Sequence, residues 1–514
     1  MATLPAARTR APPSSSSRPR GSDQARRVTR IVFFALVLDL LAFTMPLPLF
    51  PRIIDDFVQQ EARATPRETL LSRTLTTVRG LRSYLAGGDI ATTNARFDLT
   101  LLGGLLGSAF SFCQFVISPT LGTLSDRYGR KPVLMASMIG NLVSAALWLG
   151  SGDSFGVYAA SRIVGGLSEG NVQLSIAAIS DVTTKANRSK SLALVGLAFA
   201  ISFTLGPSIG AYFASKDLFR LAHSPVVNVP LVGSVTLNSF AVPAAITLAL
   251  LAVETLYLAV CLPETKGWPR DVSFKEAEIT RDYGARKTIQ QRRETLRRLE
   301  WVHFGFLFFF SGAEFTITFL THNLFDFSNA QNGRLLGFIG ILSSLLQGGY
   351  VRRASSTPQK TLSLAIAGVR TCQFSLLLLS SLPFLSSSRR DREINASLPI
   401  FVLYAAAAGL AFVSATVVNS LNSLASLETD EDEDGQEARS NAGIEKGQAL
   451  GRFRSKGQLG RALGPLFATG VYWCVSPAVA YSCCAIGTML VAQRMNRLRG
   501  TENAAKETER RKAE

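Results

Sequence analysis

The sequence predicts an all-α membrane protein with twelve transmembrane helices in two six-helix bundles. Hydrophobic residues make up 47% of the 514 residues, and they are gathered in long blocks instead of alternating with polar residues. A helix of about 20 apolar residues crosses roughly 30 Å of hydrocarbon. We therefore expect spans at residues 31–51, 99–121, 133–149, 156–181, 191–215, 239–262, 301–324, 335–350, 362–385, 399–421, 447–473 and 476–493.

The distribution of charge predicts the orientation. The net charge of +17 could indicate a nucleic-acid partner, but the Lys and Arg residues lie in the tails and between the apolar blocks. Membrane topology and anionic lipid headgroups explain them better. The loops after spans two, four and eight hold three basic residues each, whereas those after spans three, seven and eleven together hold Arg334 alone. We expect both termini to be cytosolic and no nucleic-acid partner.

Segments outside the spans differ sharply in composition from the spans themselves. A basic tail at residues 1–30 and an acidic insert at 428–437 are expected to be disordered, because neither can bury enough apolar surface to fold. A charged linker could form an amphipathic helix on the membrane surface. The predicted domains are a bundle at 31–262, the linker at 263–300, a bundle at 301–494 and a cytosolic tail at 495–514.

The sequence lacks the residue patterns of disulfide or metal sites and those of an enzyme or an ATP-driven pump. The six cysteines all fall in apolar blocks, which indicates neither a disulfide framework nor a metal cluster. The histidines His223, His303 and His322 are scattered, and no Gly-x-x-x-x-Gly-Lys-Ser/Thr loop is present. We expect that the protein is neither an enzyme nor an ATP-driven pump, and that it binds no cofactor and no metal.

Four acidic residues fall inside predicted spans: Asp39, Glu169, Glu254 and Glu314. An unpaired carboxylate in a bilayer costs several kcal/mol on insertion scales, so each should face a partner or a water-filled path. Arg162 and Glu169 are seven residues apart and share a helix face, but about 10 Å along the axis argues against a tight pair. Arg162 could instead pair with Asp39 to hold two helices together. The basic residues Arg370 and Arg461 could attract an anionic substrate.

Spans two and three are joined by a charged turn at residues 122–134, Gly-Thr-Leu-Ser-Asp-Arg-Tyr-Gly-Arg-Lys-Pro-Val-Leu. Gly122 and Gly129 permit close backbone approach, and Asp126 is placed to meet a helix N-terminus or an arginine. The cytosolic side is marked by Arg127, Arg130 and Lys131. The alternative interpretation is a basic loop that only fixes topology.

The fifth span carries glycines and a proline that would give a kinked, smooth helix surface: Gly196, Gly206, Pro207 and Gly210. Residues 463–465 repeat the Leu-Gly-Pro of residues 205–207 six spans later. This spacing indicates an internal duplication.

The turn at 122–134 resembles, without a gap, the signature between helices two and three of the major facilitator superfamily. The resemblance implies the major facilitator fold and a latch, made in one transport state and broken in the other, in which Asp126 and Arg130 would act. We expect the latch to comprise Gly122, Asp126, Arg127, Gly129, Arg130 and Arg461. The order Arg-x-x-x-Gly at 162–166, with further small residues, resembles the superfamily's fourth-helix motif, and this resemblance implies a proton-coupling role for Arg162. Residues 206–210 resemble the superfamily's Gly-Pro-x-x-Gly motif, associated mainly with antiporters, although Ala211 replaces a usual second glycine.

Further blocks resemble the tetracycline-transporter-like organic anion transporter branch: Leu-Asp-Leu-Leu-Ala-Phe-Thr at 38–44, Gly-Gly-Leu-Ser-Glu-Gly-Asn-Val at 165–172, Ser-Gly-Ala-Glu-Phe-Thr at 311–316, Phe-Leu-Thr-His at 319–322 and Gln-Gly-Gly-Tyr at 347–350. This resemblance implies transport of organic anions and drugs.

The expected function is therefore secondary active transport of small organic anions or drug-like molecules by alternating access, coupled to proton antiport as in drug efflux. Expected partners are a small organic substrate, protons and membrane lipid, and we expect a monomer. The residues of the expected proton-coupling or substrate pathway are Asp39, Arg162, Glu169, Glu254, Glu314 and Arg370. Each could instead be a structural ion pair. The alternative function is a non-transporting membrane sensor or scaffold with a transporter fold.

Overall fold

The computed structural model describes residues 20–46, 49–63, 69–86, 95–152, 154–215, 226–229, 233–236, 240–268, 288–354, 357–386, 397–429 and 444–513. The N-terminal helices are α1 (Arg20–Thr44), α2 (Phe50–Arg63), α3 (Leu70–Ala86), α4 (Ala95–Tyr128), α5 (Arg130–Leu149), α6 (Phe155–Ser168), α7 (Asn171–Val182), α8 (Lys185–Ser215) and α9 (Ala241–Cys261). The C-terminal helices are α10 (Ile289–Phe325), α11 (Asn329–Leu345), α12 (Arg352–Ala354), α13 (Pro358–Ser386), α14 (Ser397–Leu427), α15 (Lys446–Cys474) and α16 (Pro477–Ala513). Most of the predicted basic tail and of the acidic insert lies outside the described residues.

The all-α expectation is confirmed, with one small exception between α8 and α9. There, β1 (Val226–Val229) pairs antiparallel with β2 (Gly233–Thr236), so that Val226 faces Thr236 across the ladder. The β-branched residues of these strands favour extended backbone. Eight helices in the described part of the chain are long and apolar enough to cross a membrane; they lie in α4, α5, α8, α9, α10, the α11–α12 segment, α13 and α14.

Helix ends follow local sequence signals. The first turn of α10 is closed by a capping box in which the Thr288 hydroxyl accepts from the amide of Gln291 and the Gln291 side chain accepts from the amide of Thr288. Prolines Pro358 and Pro477 begin α13 and α16, where the missing amide donor costs nothing. Helix α10 begins twelve residues before the predicted span at Trp301, so the end of the predicted linker continues directly into the helix.

Two predicted spans are not regular helices. The segment predicted as one span at 156–181 is divided into α6 and α7, because Glu169 adopts an extended conformation and α7 restarts at Asn171. The uninterrupted-helix expectation is therefore wrong at this position. A π-helical turn, Leu346–Val351, joins α11 to α12.

Packing divides the helices into an N-terminal half, α1–α9, and a C-terminal half, α10–α16. Helix α1 packs on α8 and α9, whereas α10 packs on α15 and α13 packs on α14 and α16. The largest contacts between the halves are those of α4 along α15 and of α8 on α11 and α14, and α7 also packs on α15. Helices α2 and α3 pack against α5 and α6 through a separate apolar cluster that includes Ile53, Phe57, Leu71, Trp148 and Tyr158.

Candidate pathway and latch between the two halves

The charged turn between α4 and α5 forms a buried ion cluster. Arg130 donates from Nη1 to Asp126 at 2.6 Å and from Nε to Asp181 of α7 at 2.8 Å, and all three side chains are at most 12% exposed. Asp126 also accepts the backbone amides of Gly447 and Gln448 at 2.8 and 2.7 Å. We call these five residues the latch, and the end of the molecule where they lie the latch end. The carboxylate thus meets the positive end of the α15 dipole across the two halves.

Gly129 is required by the backbone of the turn. Its φ of +106° is in the region that favours glycine, and a Cβ there would lie 2.6 Å from a carboxylate oxygen of Glu264. Glu264 accepts the amides of Arg130 and Lys131 at 2.8 and 3.1 Å and so caps the first turn of α5. Arg127 is exposed, and its guanidinium lies 5.4 Å from the Tyr128 ring centroid.

Helices α4 and α15 remain in close contact away from the latch. A Cβ at Gly122 would overlap the carbonyl group of Gly447, and one at Gly451 would lie 2.5 Å from the carbonyl oxygen of Ser118. One turn further, Ser455 donates to the carbonyl oxygen of Phe115 at 2.7 Å. The halves are therefore closed over roughly 16 Å of helix at this end.

A second contact closes the latch end between α8 and α14. The fully buried Arg188 donates to the carbonyl oxygens of Ser426, at 3.1 Å, and Ser180, at 3.0 Å. The hydroxyl oxygens of Ser189 and Ser423 are 2.6 Å apart. Further along α8, a Cβ at Gly196 would overlap the side-chain amides of Asn419 and Gln347.

The other predicted glycines of α8 face α1. Cβ atoms at Gly206 and Gly210 would overlap Thr44 and the carbonyl group of Met45. Pro207 lies between them inside the helix. This surface thus permits close approach of helices within the N-terminal half rather than between halves.

The break between α6 and α7 is held by α5. The Ser137 hydroxyl donates to the carbonyl oxygen of Ser168 and accepts the amide of Gly170 at 2.9 Å, so it satisfies both backbone groups that the break releases. Asn141 donates to the carboxylate of Glu169 at 3.2 Å. Discontinuous helices at this depth typically form ion and substrate sites in secondary transporters.

Three acids from different helices meet beside this break. Asp39 of α1 is 3% exposed and accepts from Asn171 of α7 at 2.8 Å. Glu254 of α9 is 1% exposed and interacts electrostatically with both Asp39 and Glu169. Among the described residues, Asp39 Oδ2 and Glu254 Oε2 have no hydrogen-bond partner. We call Asp39, Glu169 and Glu254 the acidic cluster.

Arg454 of α15 faces the acidic cluster from the C-terminal half, and the sequence did not identify it. Its charge interacts with those of Asp39 and Glu169. With the Gln458 amide oriented so that its nitrogen donates to Gln114 at 2.9 Å, its oxygen accepts two 3.1 Å hydrogen bonds from Arg454. A sequence signal that could have identified Arg454 is its spacing, because it lies seven residues before Arg461 and so on the same face of the helix.

Arg461 lies far from the latch to which the sequence assigned it. Fourteen residues separate it from Gly447, or about 21 Å of helix. Its charge interacts with that of Glu314 on α10, which also interacts with Cys372 of α13. The Glu314 residue is exposed.

The remaining predicted residues lie apart from the acidic cluster. The Arg162 guanidinium lies 5.7 Å from the ring centroids of both Trp148 and Tyr158. Arg370 is exposed on α13 and donates to Asn496 of α16 at 3.5 Å. Asp39 therefore has an asparagine, not Arg162, as its hydrogen-bond donor, and Arg370 lies between two helices that pack together within the C-terminal half.

Most of the membrane region matches a known family. The sequence profile of the Major Facilitator Superfamily covers residues 32–465. The chain belongs to this superfamily. It is 33% identical over 476 residues to the mouse major facilitator superfamily domain-containing protein 10, covering 92% of both chains.

Other superfamily members extend this likeness. The bovine domain-containing protein 10 is 33% identical over 463 residues, covering 89% of this chain and 90% of the relative. The Pasteurella multocida class H tetracycline resistance protein is 25% identical over 197 residues, covering 38% and 39%. The crystal structure of the human organic anion transporter MFSD10 (TETRAN) superposes with a TM-score of 0.71 at 29% identity, covering 93% of this chain and 100% of that one. The expected superfamily and its tetracycline-transporter-like branch are thus confirmed, and the family and these relatives are transporters rather than enzymes.

Proposed function

We propose that this protein is a secondary active carrier of small organic anions or drug-like molecules that works by alternating access. The observation that carries the proposal is the meeting of the acidic cluster with Arg454 at the boundary between the halves. Charged groups inside a membrane protein are costly and usually line an ion or substrate path. The substrate class follows from the organic anion transporter named among the relatives.

The architecture that we propose has twelve crossings. Besides the eight apolar spans, α1, the α6–α7 pair, α15 and α16 would complete the count. Each of these carries charge that lowers its hydropathy, such as Asp39 in α1 and Arg454 in α15. The latch end would be cytosolic, because the loops there hold the excess of Lys and Arg. Two six-helix bundles with cytosolic termini, in a monomer, remain our proposal.

Alternating access requires contacts that break. The latch joins the halves through the two α15 amides that Asp126 accepts, and Lys446 of α15 forms an ion pair with Asp181 at 3.2 Å. The Arg188 contact joins the halves through the carbonyl oxygen of Ser426. Both sets are local and polar, so the halves can separate there without exposing a large apolar core. Rocking of the halves about the acidic cluster would then open the path at one end at a time.

Proton antiport is the coupling mode that we propose for drug-like molecules. Three carboxyl groups whose charges interact repel one another when ionised, so binding of a proton by any of them relieves that repulsion. A substrate with a positive end or hydrogen-bond donors binds the same carboxylates and therefore displaces those protons. If either protons or substrate, but not both, occupy the cluster each time the path changes sides, the carrier exchanges one for the other across the membrane. In this proposal Asp39, Glu169 and Glu254 bind the proton, and Glu314 with Arg461 contacts substrate.

Reconstituted vesicles with an imposed pH gradient test this function. We expect the wild-type protein to drive uptake of a drug-like cation when the interior is acidic. Asp39→Asn should abolish the gradient dependence, because the amide cannot take up a proton. Asp55→Asn is the matched control, since Asp55 lies on α2 and accepts only from Gln59 among the hydrogen bonds described. Flux that ignores both the gradient and Asp39→Asn would eliminate the coupling, and no flux of any probe would favour a sensor or scaffold.

A further inference from the structure

The side chain of Arg454 connects the two halves at the level of the acidic cluster. Helix α15 belongs to the C-terminal half, and Gln458 on the same helix joins Arg454 to Gln114 of α4 in the N-terminal half. Arg454 is neither fully buried nor exposed, whereas Asp39 and Glu254 are buried. Part of this residue is therefore accessible to solvent, unlike the two facing acids.

The charges around Arg454 come from every side. Asp39 faces it from α1 and Glu169 from the α6–α7 break, with Arg461 on its own helix. His303 of α10 also interacts with it, and stacks on Phe453 with ring centroids 4.2 Å apart. Glu254 of α9 acts on the two facing acids. The carboxylates thus supply the negative charge that acts on the guanidinium, whose hydrogen bonds go to Gln458.

We propose that Arg454 is the anion-binding residue of the carrier and that it makes the direction of proton coupling depend on the charge of the substrate. An anionic group would bind at the guanidinium, near the Asp39 and Glu169 carboxylates and beside Gln458. This inference rests on the proposed function and refines it for anionic substrates.

Linkage gives the sign of the coupling. When the two carboxyl groups are ionised they partly offset the charge of Arg454, and an incoming anion also meets their repulsion. When they are protonated, both obstacles disappear, so protons and an anion bind cooperatively and by reciprocity each strengthens the other. A cation pairs with the carboxylates themselves and competes with protons. Anions should therefore move with protons, and cations against them.

Two probes with fixed charge separate these cases in proteoliposomes: naphthalene-2-sulfonate and 1-methyl-4-phenylpyridinium. An acidic exterior should increase uptake of the sulfonate and decrease uptake of the pyridinium by the wild-type protein. Arg454→Gln should raise the KM for the sulfonate about 10- to 100-fold, the range for a lost charged hydrogen bond. It should also weaken the pH dependence of sulfonate uptake, to which only repulsion by the carboxylates would still contribute. Pyridinium uptake by Arg454→Gln shows that the variant is folded, and Arg454→Lys should restore part of the sulfonate uptake.

Arg452→Gln is the matched control, because Arg452 lies two residues away on α15 with a side chain that is 64% exposed. It should leave both uptakes unchanged. Wild-type protein that carries sulfonate while Arg454→Gln carries it with the same KM and pH dependence would overturn this inference alone. The inference would also be overturned if uptake of the two probes by the wild-type protein were not favoured by opposite pH gradients. Wild-type protein that carries neither probe would overturn the proposed function as well.

Discussion

Replacing Asp126 by asparagine should loosen the first turn of α15. The carboxylate accepts the amides of Gly447 and Gln448 and an ion pair from Arg130, at 2.6 to 2.8 Å. Hydrogen bonds to a charged group contribute about 1.5–3 kcal/mol each, and an asparagine retains one acceptor oxygen. We take the loss as about 2–3 kcal/mol, which changes the ratio of closed to open latch by roughly 30- to 150-fold.

Hydrogen exchange measured by mass spectrometry on peptides that contain Gly447 and Gln448 reads this ratio directly. Amides exchange when their hydrogen bonds open, so the Asp126→Asn peptide should exchange roughly 30- to 150-fold faster. Glu445→Gln is the matched control: Glu445 precedes the same helix turn but makes no capping bond, so its effect should stay below about 5-fold. Equal exchange in wild-type and Asp126→Asn proteins would refute the role of Asp126 in holding α15.

Two further predictions concern packing. Gly122→Ala should lower the thermal midpoint of the detergent-solubilised protein, because the added Cβ would overlap the Gly447 carbonyl group. Gly107→Ala, whose Cβ would have nothing within 4 Å, should keep or raise the midpoint. Equal midpoints for the two variants would contradict the close α4–α15 contact. Tyr481→Phe removes the hydroxyl that accepts from Thr316 at 3.1 Å and should cost about 1 kcal/mol in chemical denaturation, and no change would show that this bond is not stabilising.

Local sequence was sufficient where function depends on contiguous residues. The turn at 122–134 places Asp126 and Arg130 four residues apart on consecutive helical segments, and the structure brings them into contact at the end of the molecule that the motif indicates. The role of the latch in transport stays a prediction. The acids at Asp39, Glu169 and Glu254 could also be singled out, because a carboxyl group inside an apolar block requires an explanation.

The partners of those acids could not be predicted, since they depend on tertiary packing. Arg454 lies close to Arg452 and Lys456 in the sequence, a pattern typical of a polar helix end. Only the packing of the two halves places its charge where it interacts with that of Asp39. The helix break at Glu169 has no proline to signal it. It exists because Ser137 of the neighbouring helix bonds the released backbone groups.

Arg461 shows how a resemblance can misplace a residue. The latch meets α15 at Gly447, in the first turn of the helix, so a residue about four turns further along cannot reach it. The position of Arg461 beside Glu314 instead follows from the packing of α15 on α10.

The movement of the two halves can be tested by joining them covalently. Ser189→Cys with Ser423→Cys places two thiols where the hydroxyl oxygens are 2.6 Å apart, close enough for a disulfide across the boundary. Oxidation of the double variant should stop substrate flux in vesicles, reduction should restore it, and each single variant should be unaffected by oxidant. Full flux through the oxidised double variant would contradict alternating access.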